Sequence, residues 1–478
     1  MQRWYGGAVT ESESEAVGAG REYEALQSDL PPPPMSLPHW VERVSSMAHG
    51  WLPVEARPRL LRAIAEGLVD ARVDLGAEAS KLLGVAPGEF ILHELTPLVA
   101  GLHACALRLG AERSVTHHSA PTTVIAAPPA AMVALPMLAA FRAFARGAAV
   151  ALVAEAPVAG LLAQVAEVAR KAGLPHGGVT VTTGELSAGL ALSLSDVAVQ
   201  RALWLGAPRH ARAFQVECLA GGIEAQSLPY GAGTAVVYDN ADLDLAARAI
   251  VASRVTLGGL RHDAIQRVVV SASVHDALAL RIARQCAAVV SDPWVREALE
   301  RIDPVRRDTL RARLGEALAH GAAVVSGEAP PALGLVAPVV LTDEGLYPGL
   351  AAERVGAPLL ALLRVAHPEQ HAATVLSTHP GSVLSVFGGD NAQHRALAAR
   401  AGVPLVLVDD AVTPGLALLD LPRATAVEGA GLTLAAAPPD EGAEHWAPYS
   451  VWTRQTASLQ LLVRHGRHGF GGPLGDLY

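Results

Sequence analysis

At 478 residues the chain exceeds what one hydrophobic core supports and implies two or three domains. Its net charge of −9 leaves no basic footprint for nucleic acid, and 51% hydrophobic residues suit a large α/β protein with buried parallel strands. The three cysteines, Cys105, Cys218 and Cys286, are widely spaced and form neither a CxxC pair nor a disulfide framework, which points to a reducing cytoplasm.

In chain order, residues 1–36 read as a tail: "TESESEAVGAG" is acidic and "DLPPPPMSLP" is a stiff polyproline run. The first residues hold no apolar signal core. Helical periodicity starts near Trp40 and continues through "RPRLLRAIAEGLVDARVDLGAEASKLLG" and "ILHELTPLVAGLHACALRLGAE". The charge-free run Pro121–Phe141 holds four prolines, which argue against a membrane helix and for strand, turn and helix. From Thr122 onward, β-branched runs alternate with amphipathic helices. "TTVIAA", "AAVALVA", "GVTVTTG" and "RALWLG" are each followed by a helical stretch, so a parallel, doubly wound sheet of the dinucleotide-binding type is predicted. A second set, "GTAVVYD", "QRVVVSA", "GAAVVSG", "PVVLTD", "LLALLRV", "SVLSVFGG" and "VPLVLVDD", predicts another α/β domain. The expected division is a tail at 1–36, a first domain at 37–226 joined by part of 425–478, a second at 227–424, and a C-terminal arm at 425–478 that serves oligomerisation.

Several of these segments carry a family resemblance. "ARKAGLPHGGVTVTTG" (Ala169–Gly184) resembles the aldehyde dehydrogenase superfamily segment "AxEAGLPxGVxNVVTG", and "VVYDNADLDLAARAIV" (Val236–Val251) resembles its "IVFDDADLDxAV". "RVVVSASVHDALALRIA", "AHGAAVVSGE…VAPVVLTD" and "AERVGAPLLALLRV" resemble three further blocks in the same order. The resemblance covers roughly residues 50–410 and implies the aldehyde-dehydrogenase-like fold, a Rossmann-type domain plus a second α/β domain.

In that family the loop at Thr256–Asp263 reads approximately "NQGQxCxA", and its cysteine thiolate attacks the aldehyde carbon. Here the loop reads "TLGGLRHD" and the resemblance puts the nucleophile position at Leu260, or at Arg261 if the loop slips by one. Cys286 lies 26 residues downstream and Cys218 lies 42 upstream. The family's general base, the Glu of "LELGGK", corresponds to Leu228 in "SLPYGA", with Glu224 four residues earlier. The oxyanion-stabilising Asn of "PWNFP" corresponds to Ala130 in "PPAAM". Nucleophile, base and oxyanion donor are therefore all expected to be missing.

The resemblance also implies an eroded cofactor site. The ribose-contacting Lys of "VLKPSE" corresponds to Val153, and "FTGSxxxG" becomes "WLGAPRHA", keeping Gly206 but placing Ala211 at the later glycine. Glu353 matches the nicotinamide-ribose Glu. The expectation is no cofactor, with NAD(P) bound weakly at best. Arg261, His262 and Asp263 are read as a solvated loop, with a repurposed acid–base site as the alternative. His117-His118 lacks a third ligand at metal-binding spacing, so no metal is expected. The cysteines read as small buried hydrophobes.

The expected protein is a catalytically inactive, cytoplasmic member of this fold with a scaffolding, regulatory or oligomer-partner role. Its partner would be a copy of itself, an active homologue or a pathway enzyme, without nucleic acid or membrane. Two alternatives stand beside it: an enzyme with a repurposed cleft, and a divergent, active NAD(P)-dependent dehydrogenase.

Overall fold

The computed structural model describes residues 52–111, 122–128, 131–156, 158–184, 199–206, 208–229, 231–327, 337–343, 354–379, 381, 383–401, 405–409 and 450–452. Three N-terminal helices come first: α1 (Arg57–Asp70), α2 (Arg72–Leu83) and α3 (Thr96–Ala111). A short helix, Pro87–Phe90, and a π-helical turn, Ile91–Leu95, lead directly into α3. Together they give a continuous helix, Pro87–Leu107, long and apolar enough by composition to cross a membrane. Phe90, Leu95, Leu98, Leu102 and Ala106 are nonetheless buried in the core against α1 and the first sheet, as in the central helix of a globular domain.

The first sheet is built from β1 (Thr122–Ala127), α4 (Ala134–Ala145), β2 (Val150–Ala154), α5 (Val158–Lys171), β3 (Val179–Thr183), β4 (Val199–Gly206), α6 (Pro208–Ala220) and β5 (Glu224–Pro229). The strand order is β3-β2-β1-β4-β5 and every pairing is parallel. β1 and β2 are buried along their whole length because helices cover both faces. The order reverses between β1 and β4, the switch point at which doubly wound sheets open a crevice beyond their strand ends. β5 completes this sheet, so the expected division at residue 226 falls within a strand.

The second sheet runs through β6 (Gly233–Val237), α7 (Leu243–Val255), β7 (Ile265–Ser271), α8 (His275–Val289), α9 (Pro293–Glu300), α10 (Pro304–Ala319), β8 (Ala323–Ser326), β9 (Val339–Asp343), β10 (Leu359–Val365), α11 (Pro368–Thr378), β11 (Val383–Phe387), α12 (Asn391–Ala401), β12 (Leu405–Val408) and β13 (Ser450–Trp452). Its order is β13-β12-β11-β6-β7-β10-β9-β8, parallel except for β8 against β9. All seven strands predicted for this domain are present, and β13, from the C-terminal arm, pairs with β12 in the second sheet. Local signals set the helix starts. Asp242, Asp292 and Asp303 each cap a helix by accepting backbone N–H groups, and proline occupies the first turn of α9, α10 and α11. The N-terminal tail, His117-His118 and the glycine-rich C-terminal residues lie outside the described residues.

Candidate functional site

The loop between α7 and β7 carries the question raised by the sequence. Leu257 (φ 52°), Gly258 (φ 59°) and Gly259 (φ 76°) lie consecutively in the left-handed region, which is costly for a leucine and natural for glycine. A side chain at Gly259 would meet the Ala357 carbonyl carbon at 2.9 Å, so only glycine fits. Leu257 and Leu260 join the core of the first domain, in the cluster that also holds Ala131, Met132 and Val133. Met132 is also left-handed (φ 52°). Two of the three left-handed non-glycine residues among those described therefore belong to this cluster, and strained backbone tends to gather at functional sites.

The solvated-loop expectation is corrected here. Arg261, His262 and Asp263 are 3%, 7% and 0% exposed. The Arg261 guanidinium donates to Glu94 Oε1 at 3.3 Å and also to Asp263. Burial works against the Asp263 carboxylate, but Arg261 and His262 outweigh it and hold the group below its ordinary range. Burial holds His262 down at about 4, so its imidazole is neutral at neutral pH.

Two glutamates that sequence reasoning missed anchor this arrangement. Glu89 Oε1 accepts the Leu257 N–H at 2.6 Å, and burial, opposed by that hydrogen bond, pushes its carboxyl up to about 8. Glu94 Oε2 accepts the N–H groups of Val133 and Ala134 at 3.0 and 2.8 Å, capping the start of α4. Both glutamates interrupt an apolar helical run, "GEFILHEL". Carboxylates in such a run are the one signal that could have marked them. His93 lies between them, buried and held down at about 3 by that burial.

Arginines fix the loop from the other side. Arg354 donates to the carbonyls of Gly259, Leu260 and Arg261, and Arg306 donates to those of Gly258 and Gly356. Arg254 reaches the carbonyls of Val355 and Ala357, while Gln266 accepts the Val355 N–H at 2.8 Å. None of the cysteines is near this loop by chain position: Cys105 is on α3, Cys218 on α6 and Cys286 on α8. Burial pushes the Cys218 and Cys286 thiols up to about 12, so neither supplies a thiolate at neutral pH.

Of the other expected positions, Ala130 and Glu353 lie outside the described residues. Leu228 is on β5, paired in register with Leu205, and Gly206 pairs with Pro229, so both reach the strand ends at the crevice. Glu224 begins β5, roughly 13 Å from Leu228 at the rise of an extended strand, and pairs with Arg201 at 3.0 Å.

Val153 is fully buried on β2. It lies in one lateral row with Ala126 and Trp204, the three side chains sharing the cluster beneath α6. Ala211 belongs to the same cluster and is 5% exposed. Its methyl packs on the sheet, which removes the reason to expect it to crowd a pyrophosphate at the helix start. A Cβ at Gly206 would meet the Trp204 Nε1 at 2.7 Å. That Nε1 is buried and has no hydrogen-bond partner among the described residues. Half-buried Glu155 follows β2 directly, where doubly wound domains carry the carboxylate that takes a nucleotide ribose. A residue-type scan for a lysine at Val153 passes over it. Among the described residues no group of three or more His, Cys, Asp or Glu is placed to hold a metal ion.

Comparison with known proteins places this geometry. The sequence profile described as "Aldehyde dehydrogenase family" matches residues 107–416. The chain is 26% identical over 265 residues to glutarate-semialdehyde dehydrogenase of Pseudomonas aeruginosa, covering 52% of this chain and 54% of that protein. It is 27% identical over 202 residues to the protein of the same name from Pseudomonas putida, covering 41% and 42%. The matches thus span about half the length of these curated relatives. Among solved structures, an NAD-dependent benzaldehyde dehydrogenase from Corynebacterium glutamicum aligns with a TM-score of 0.67 at 19% identity, over 79% of this chain and 86% of that one. An NAD-dependent aldehyde dehydrogenase from Sinorhizobium meliloti aligns with a TM-score of 0.63 at 19% identity, over 79% and 80%. These likenesses show the fold. They also correct the expectation that no cofactor binds, because the family match and NAD-dependent neighbours point to NAD(P) use.

Proposed function

The chain belongs to the aldehyde dehydrogenase family, and we propose that it binds a nicotinamide dinucleotide but carries out no thiol-dependent aldehyde oxidation, acting as a regulatory or scaffolding subunit. The carrying observation is the loop Thr256–Asp263. It contains no cysteine, its leucines fill the core of the first domain, and its one guanidinium is held between two carboxylates. Covalent aldehyde oxidation needs a thiolate that adds to the carbonyl and later leaves as a thioester. Neither isobutyl nor a buried, paired guanidinium does this.

The residues present fit the nucleotide. Gly206 ends β4 at the switch point and α6 begins directly beyond it, an arrangement suited to a diphosphate. Glu155 at the end of β2 is positioned for a ribose diol, and the unpartnered Trp204 N–H offers a buried donor. When bound, the nicotinamide ring supplies a hydride acceptor or donor. A family fold that keeps a nucleotide site without the nucleophile is suited to assembly as a homo-oligomer or with an active homologue or pathway enzyme.

Calorimetric titration with NAD⁺ and NADP⁺, alongside a spectrophotometric assay with aliphatic and aromatic aldehydes, tests the reading. Micromolar nucleotide binding without aldehyde-dependent reduction supports it. Turnover would favour a divergent active dehydrogenase, in line with the names of the relatives. A purified chain that is monomeric, with no partner in pull-downs, would remove the scaffolding role.

A further inference from the structure

We propose that Trp204 is a nucleotide-binding residue, its indole N–H donating to the diphosphate of the dinucleotide; this rests on the proposed nucleotide site and specifies one donor within it. Trp204 is 2% exposed, and its ring packs against Phe214 on α6, with centroids 5.1 Å apart. The backbone of this stretch of β4 pairs with β1 and β5, yet Nε1 has no partner among the described residues. A buried donor without an acceptor costs about 1–3 kcal/mol, and a ligand that supplies the acceptor is one way to recover that cost.

The position of this Nε1 identifies the user. Nε1 lies 2.7 Å from the point a Cβ on Gly206 would occupy, so it reaches the level of the last residue of β4. The N-terminus of α6 follows there, with positive dipole and unsatisfied N–H groups. The ring of His210, on the first turn of α6, stands edge-on to the indole with centroids 6.2 Å apart. An anionic oxygen at this helix start would meet the indole N–H and the helix dipole together. The lateral row adds a second reason. Val153, Ala126 and Trp204 sit side by side on the same face, so where the resemblance implies a lysine donor at Val153, this chain offers a donor two strands away, about 10 Å across the sheet.

Trp204→Phe removes the N–H and keeps a ring. Removing a buried N–H that lacks a partner among the described residues offsets the packing lost with the smaller ring, so the variant should melt close to the wild type. Its NAD⁺ affinity should fall by about ten-fold, the loss of one hydrogen bond to a charged group, while binding of adenosine, which lacks the diphosphate, stays unchanged. Should the variant fold poorly, ¹⁵N-indole spectra of the wild type give the same answer. One strongly protected indole N–H should move downfield with NAD⁺ and stay in place with adenosine. Equal NAD⁺ affinity in both proteins, equal weakening for NAD⁺ and adenosine, or indole signals indifferent to NAD⁺ would each overturn the assignment of Trp204 while leaving the nucleotide site standing. A wild type that binds no NAD⁺ would remove both.

Discussion

Replacing Glu89 by Gln should change how stability depends on pH. The carboxyl titrates near 8 in the folded protein against an ordinary 4.5. The folded state therefore keeps a proton that the unfolded chain has released across that interval. With the folded value raised, the stabilisation is complete below pH 4.5 and is lost as pH rises through about 8. The slope approaches about 1.4 kcal/mol per pH unit, so the wild type should lose about 2 kcal/mol from Glu89 between pH 6.5 and 8. Gln retains an acceptor for the Leu257 N–H, now at 2.6 Å, and never ionises, so this alkaline loss should vanish. Urea denaturation of both proteins at pH 6.5 and 8 measures it. An identical loss in Glu89→Gln, or a wild type that gains stability over that range, would refute the reasoning. Glu89→Ala is a useful contrast, since it leaves a buried N–H without a partner and should cost about 1–3 kcal/mol at either pH.

The acid limb has the opposite sign. Burial holds His93 near 3 and His262 near 4 against an ordinary 6.5, so their contribution is present above pH 6.5 and fades below it. In the Glu89→Gln background denaturation at pH 5 should show about 3 kcal/mol less stability than at pH 6.5, and a flat profile would contradict their burial as neutral rings. Gly259→Ala would force a Cβ to 2.9 Å from the Ala357 backbone at a φ of +76° and should cost about 2 kcal/mol or more in the same assay. Leu260→Cys should show no aldehyde-dependent nucleotide reduction, because a thiol alone restores neither base nor oxyanion donor. Measurable turnover would mean those groups are supplied by residues not identified above.

Much of the fold was legible because its strands are uninterrupted β-branched runs between helices of clear period. The exceptions have physical reasons. β5, "EAQSLP", is a polar strand at the edge of its sheet, with no apolar pattern to announce it. β13 spans three residues and finds β12 across a long stretch of chain, a pairing only topology reveals. At the site, the missing cysteine was readable, whereas the burial of Arg261, His262 and Asp263 was not: three adjacent polar residues look solvated until their partners are known. Those partners lie far back in the sequence, Glu94 167 residues from Arg261 and Glu89 168 residues from Leu257. The cofactor expectation failed for a related reason. Residue types at Val153 and Ala211 suggested loss, but which way Ala211 faces, and the Trp204 donor beside it, are properties of packing.

The segment Pro87–Leu95 holds two distant loops at once, Leu257 through Glu89 and the start of α4 through Glu94. Motion at this boundary is therefore coupled. The second domain's loop cannot swing away from the first as a rigid body without breaking a buried ion pair and uncovering Leu257 and Leu260, so it opens only by local unfolding. In hydrogen exchange, the Leu257, Val133 and Ala134 amides should behave as one cooperative unit. Any nucleotide-driven hinge in this protein would have to pivot elsewhere.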